Sequence, residues 1–125
     1  MLNQDCARDI LLFIDDHTTF RSDGVPNSFK FKAFCEDPQM SEKYTISDMN
    51  IAIVYLCQKG YLESVDFTGK TKHIHIQRIT AHGYDYLQII KSPKIWNALQ
   101  SKFGKAFETA TSVIIEAFIN GLFKI

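Results

Sequence analysis

Three cysteines, three prolines, six glycines and a single tryptophan are few for 125 residues, and neither sign of charge prevails. Cys6, Cys35 and Cys57 are odd in number and form no CxxC pair, so the chain offers neither a disulfide framework nor a paired-cysteine zinc site. The N-terminus has no basic segment followed by an apolar run and a cleavage site, and the expected compartment is a reducing cytoplasm. Fourteen basic residues balance fourteen acidic ones. No overall positive field therefore draws the protein to nucleic acid, and any attraction must come from a local patch. Apolar runs stop well short of the roughly 20 residues that cross a bilayer, because Glu116, Asn120 and Lys124 interrupt even the C-terminal segment, so no membrane partner is expected. G-x-S-x-G, P-loop and H-E-x-x-H motifs are absent. The expectation is a protein that binds rather than catalyses, with no cofactor.

What is present is a core. Hydrophobic residues make up 46% of the chain, enough for one domain over residues 1–125. Ala7, Ile10, Leu11 and Ile14 recur at helical spacing in residues 3–16. A loop rich in Gly, Pro, Asn and Ser follows, and then "FKFKAF" alternates Phe29, Phe31 and Ala33 with lysines, the pattern of a short half-buried strand. Asp37-Pro38 breaks the chain before a short helical turn within 38–46. Ser47 offers an N-cap, Asp48 sits at the positive end of the helix dipole and Gly60 tolerates a positive φ, which together predict a helix over about 47–59. "YLESVDF", "TGK" and "HIHIQRI" read as a β-hairpin with Ile74, Ile76 and Ile79 on its apolar side. Thr80 caps a helix over about 81–91, and Pro93 starts another at a position where no N–H is missed. A last helix is expected over about 105–121. This order predicts an α+β fold, a winged helix-turn-helix with a β-hairpin wing and extra C-terminal helices, residues 93–125 forming an extension for packing or dimerisation.

Residues 80–97 carry Thr80, Gly83, Tyr86, Leu87 and Ile90, followed by Ile95, Trp96 and Asn97. This T-x-x-G-x-x-[YF]-L-x-x-I…I-W-N pattern resembles an uncharacterised, phage-associated family of winged-helix domains of unknown function. The resemblance extends more weakly to "MNIAIVYLCQKGYL" and the C-terminal apolar segment, about two thirds of the chain. Residues 21–45 do not align, and Ile51-Ala52 stands where relatives tend to carry Tyr-His, so no polar role passes to that pair. Read physically, Thr80 is a cap, Gly83 permits a close backbone approach, and Tyr86, Leu87 and Ile90 form an apolar face. Trp96 either anchors the following segment on the core or stands exposed as a binding residue.

For double-stranded DNA, the wing offers Lys70, Lys72, His73 and His75, with Lys59 at the end of the preceding helix and Arg78 further along. If Met49, Ala52, Ile53, Leu56 and Cys57 face the core, that helix presents Asp48, Asn50, Ile51, Val54, Tyr55 and Gln58. Asn50 and Gln58 can read adenine edges, but no arginine is offered to guanine, and Ile51, Val54 and Tyr55 make an apolar strip that suits a protein partner. His73 and His75 share one strand face without an identifiable third ligand, so no metal site is expected. On a helical wheel the segment 105–122 is apolar over well over half its circumference. Ile115, Ile119 and Leu122 lie at the edge of its main stripe and are expected to line a homodimer interface. The leading expectation is a DNA-binding regulator of phage or mobile-element type. The alternative is a winged-helix module that binds a host or phage protein as an inhibitor or accessory factor.

Overall fold

The structure, a computed structural model, describes residues 2–66 and 74–103. Among them are six helices and a small three-stranded antiparallel sheet, a mixed α+β fold. In chain order these are α1 (Gln4–His17), β1 (Phe29–Lys30), α2 (Phe31–Glu36), α3 (Pro38–Lys43), α4 (Ile46–Gln58), β2 (Leu62–Asp66), β3 (Ile74–Ile79), α5 (Ala81–Ile90) and α6 (Pro93–Phe103). No described helix is long and apolar enough to cross a membrane. The hairpin turn and the segment expected to form the last helix lie outside the described residues.

Helix α1 is the central post. Cys6, Ala7, Ile10, Leu11 and Ile14 form its buried stripe, as their spacing predicts, and pack against α4, α5 and β3. Asn3 caps it by accepting from the Cys6 N–H at 3.1 Å. At the other end the His17 ring stacks on Phe13 and its Nδ1 lies 2.8 Å from the Phe13 carbonyl oxygen.

The segment after the loop corrects the expected strand over "FKFKAF". Only Phe29 and Lys30 pair with β3, opposite Ile76 and His75. Phe31 then opens α2 and is buried together with Phe34, one helical turn later. A short apolar run fits either period, and the tertiary position of Phe34 decides for the helix. Pro38 starts α3, whose N-cap Asp37 accepts from the Met40 N–H at 3.0 Å.

The start of α4 is also corrected. Thr45, not Ser47, is the N-cap: its hydroxyl accepts from the Asp48 N–H while the Asp48 carboxylate accepts from the Thr45 N–H, each at 3.0 Å. Two otherwise orphaned donors are satisfied reciprocally, which Ser47 has no acidic partner at the right spacing to match. Met49, Ala52, Ile53 and Leu56 are buried. Cys57 is half-buried and donates its thiol to the Ser64 hydroxyl at 3.3 Å. Lys59 closes the helix, and Gly60 turns the chain at a φ of 77°.

The sheet order is β1-β3-β2, with β3 in the middle. Glu63 pairs with Arg78 and Ser64 with Ile76, so Gln77 is an extra residue on β3, a bulge. The bulge resolves the register near Arg78. Ile76 and Ile79 are three apart yet both buried, because the extra residue resets the alternation.

The opening of α5 locks strand to helix. Thr80 donates its N–H to the Tyr61 carbonyl at 3.0 Å and its hydroxyl to the Gly60 carbonyl at 2.6 Å, and that hydroxyl accepts from the Gly83 N–H at 2.9 Å. The approach is so close that a Cβ on Gly83 would stand 2.2 Å from the Tyr61 carbonyl oxygen. Tyr61 and Tyr86 stack alongside with ring centroids 4.3 Å apart. Trp96 is buried, so it is the core anchor and not an exposed binding residue. Its indole N–H donates to Asp5 at 2.8 Å, and Gln100 donates to the same carboxylate oxygen at 3.2 Å. Arg8 lies over the indole and donates to the Ile90 and Lys91 carbonyls at 2.8 and 3.0 Å, capping the end of α5. Two charged residues of α1 thus hold α5 and α6.

Candidate nucleic-acid interface

Helix α4 precedes the hairpin, so its solvent face and the hairpin are the surfaces that the expected interface requires. That face is largely apolar. Ser47, Ile51, Val54 and Gln58 fall at i, i+4, i+7 and i+11 and all are exposed, with Ile46 beside them at the helix start. Ile46 is 61% exposed, and Ile51 and Val54 stand at 36% and 37%. No lysine or arginine occurs within α4. Its one acid, Asp48, is committed to the capping box.

The residues expected to meet DNA are distributed unevenly. Gln58 is exposed at the last turn. Tyr55 is half-buried beneath Lys59, whose ammonium lies 5.7 Å from the ring centroid, so these three form one small cluster at the C-terminal end of α4. Asn50 is different. Its Oδ1 is buried with no hydrogen-bond partner, and the bidentate reading of adenine needs both that oxygen and the amide nitrogen at the surface. Asn50 as it stands does not present such an edge. Lys70, Lys72 and His73 lie outside the described residues, as do Ile115, Ile119 and Leu122 of the expected dimer interface.

Four basic residues elsewhere on the described surface have an acidic partner. Arg78 pairs with Glu63 at 3.3 Å, Lys32 with Glu36 at 3.4 Å, Lys43 with Asp9 at 3.8 Å and Arg21 with Asp23 at 2.9 Å. His75, half-buried, stands opposite Lys30 across the sheet. Among the described residues no group of three or more His, Cys, Asp or Glu side chains is placed to hold a metal ion.

The cysteines are held as thiols. Burial pushes Cys6 up to about 12, with the carboxylates of Asp48 and Asp9 adding to the effect. Burial also raises Cys35, helped by Glu36, and raises Cys57 against the lowering effect of its bond to Ser64. A nucleophilic cysteine needs the opposite shift.

Sequence reading missed two surface features. Ile46 falls outside a helix that starts at about residue 47, and the Thr45-x-x-Asp48 spacing that marks the true cap is the signal that brings it in. Phe20 and Tyr84 are exposed aromatics, Phe20 in a loop whose residues follow no period that could flag it.

Against this geometry stands one family match. The chain matches the family described as "Hypothetical protein (DUF2513)" over residues 1–108, and it belongs to that family. No curated protein and no solved structure matches it.

Proposed function

We propose that the protein is a non-enzymatic winged-helix binding module that uses the solvent face of α4 to hold a protein partner. The winged-helix reading is supported by the order α1-β1-α2-α3-α4-β2-β3 and by a sheet in which β3 lies between β1 and β2, with the hairpin directly after α4. The observation that carries the protein partner is the exposed pair Ile51 and Val54, with Ile46 exposed at the helix start, on a helix without a cation. A groove-reading helix at that position needs donors for phosphates and base edges, whereas an apolar helical strip is the pattern that packs on another protein. On this reading the protein serves as an inhibitor or accessory factor that binds a host or phage protein, the resemblance at residues 80–97 bearing only on its phage or mobile-element origin.

A second reading, a DNA-binding regulator, is favoured by the cluster of Tyr55, Gln58 and Lys59 at the end of α4, with Lys70, Lys72 and His73 following in the sequence. Photo-crosslinking from position 54 in cells separates the two. The protein reading expects a discrete protein adduct that is lost on Ile51→Glu, and adducts only to nucleic acid would overturn it. If DNA is the partner, replacing Lys70 and Lys72 by alanine weakens binding to all sequences and lowers the salt slope by about two units at most.

Self-association through residues 105–122 belongs to the same proposal. It is supported by the wide apolar arc of that segment. Ile115→Glu with Ile119→Glu is expected to give a folded monomer by light scattering, and a wild-type chain that stays monomeric at high concentration overturns the dimer.

A further inference from the structure

Among the described residues, the middle strand of the sheet is paired along only part of one side. β3 runs over Ile74–Ile79 and pairs with β2 along its length, apart from the bulge at Gln77. On its other side β1 meets only His75 and Ile76. No described strand lies against Gln77, Arg78 and Ile79 on that side. The chain before β1 forms a small hairpin of its own instead, in which Asn27 donates to the Thr19 carbonyl and Arg21 to the Val25 carbonyl, and its Phe20, Arg21 and Pro26 line two cavities together with Gln77 and Arg78. Phe20 and Pro26 bridge across it.

Two adjoining cavities fill the gap, and they share Pro26, Gln77 and Arg78. The first, about 300 Å³, has apolar walls from Phe20, Phe29, Ile79 and Tyr84. Phe20 is 64% exposed and Tyr84 37%, so these walls are wet in the free protein. The second, about 280 Å³, is walled by Arg21, Asn27 and Ser28 with Arg78, and no carboxylate lines it. Both arginines have acidic neighbours outside the cavity, Asp23 and Glu63, but those surface pairs are about half exposed and cost little to exchange.

We propose that this edge binds an extended segment of a partner protein as an added strand beside Gln77–Ile79. The segment places an apolar side chain in the Phe20–Tyr84 cavity and an acidic one in the arginine cavity. Strand addition draws affinity from main-chain hydrogen bonds and specificity from pockets for alternate side chains. Alternate residues of a strand point to one face about 7 Å apart, which suits two cavities that adjoin along three residues of β3. The charge of the second cavity selects an acid over a base. This surface is separate from the α4 face, and the inference does not depend on what α4 binds.

The test is a fluorescence-polarisation titration of the full chain with eight-residue synthetic peptides of alternating valine and threonine. Each carries a central leucine and, two positions away in either order, a glutamate. The glutamate peptide is expected to bind, with backbone amide shifts in the NMR spectrum centred on Gln77–Ile79. A lysine in place of the glutamate weakens binding roughly three- to tenfold, and Arg21→Glu reverses that preference. Phe20→Ser, a change at an exposed position, weakens both peptides. N-methylation of alternate peptide nitrogens, which removes main-chain donors and leaves the side chains alone, abolishes binding. The proposal is overturned if every peptide binds more weakly than about 1 mM, if N-methylated peptides bind equally well, or if the amide shifts fall on α4. Ile51→Glu leaves the titration unchanged, so this inference and the reading of α4 fail separately.

Discussion

Replacing Gly83 by alanine sets a methyl group 2.2 Å from the Tyr61 carbonyl oxygen and 2.7 Å from Ile79 Cγ2. Ordinary contact needs more than 3.4 Å, so something must move by about 1 Å, and the nearest obstacle is backbone rather than the end of a flexible side chain. Helix α5 can retreat only by stretching the bonds that Thr80 makes to Gly60, Tyr61 and Gly83. Overpacking of this kind costs about 1–3 kcal/mol. Weakening the cap adds about 1 kcal/mol. Alanine returns about 1 kcal/mol through its better helix propensity, leaving a net loss of roughly 1–3 kcal/mol. Urea unfolding, followed by helical circular dichroism and by the lone tryptophan, measures this directly. With a urea slope of about 1–3 kcal/mol per molar, the midpoint is expected to fall by about 1 M. Asp85→Ala, at an exposed position of the same helix, is the control and should change little. A Gly83→Ala protein as stable as the wild type, or more stable, would refute the reasoning, since propensity alone would then govern the site.

Arg8→Ala removes two charge-assisted bonds to the end of α5 and the stacking on Trp96, and is expected to cost about 1–2 kcal/mol with a red shift of the tryptophan emission. Asp5→Ala should give a similar red shift, while Asp5→Asn, which keeps an acceptor for the indole N–H, should largely restore the wild-type spectrum. Cys6 yields an alkaline prediction. Its thiol is near 9 when unfolded and about 12 in the fold, so its contribution to stability is fully present below pH 9 and is lost as pH rises toward 12. Urea midpoints should fall over that window, and Cys6→Ala should delay the fall, although Tyr44 and Tyr86, also raised by burial, still contribute above pH 10. Thiol labelling under native conditions should spare Cys6, whose side chain is fully buried, until the protein opens; labelling of Cys6 as fast as that of Cys35 would refute its placement.

Periodicity and punctuation alone determined much of this protein. The buried stripe of α1, the Thr80 cap, Pro93 at a helix start and the positive φ of Gly60 follow from local physics: each depends on residues within a turn or two of one another. The hairpin was legible for the same reason, and so was the apolar character of the face around Ile51 and Val54. Tertiary structure decided the rest. Phe29, Phe31 and Ala33 satisfy the strand pattern while Phe31 and Phe34 satisfy the helical one, and only the core that Phe31 and Phe34 enter selects the helix. The bulge at Gln77 exists because Leu62 and Ile76 must both face inward, a demand that spans two strands. Trp96 is an anchor because Asp5 and Arg8, more than 80 residues away, meet it there. That no described strand pairs with Gln77–Ile79 beside β1 was invisible from sequence, because the pairing of an edge is a property of where the neighbouring chain goes and not of the strand's own residues.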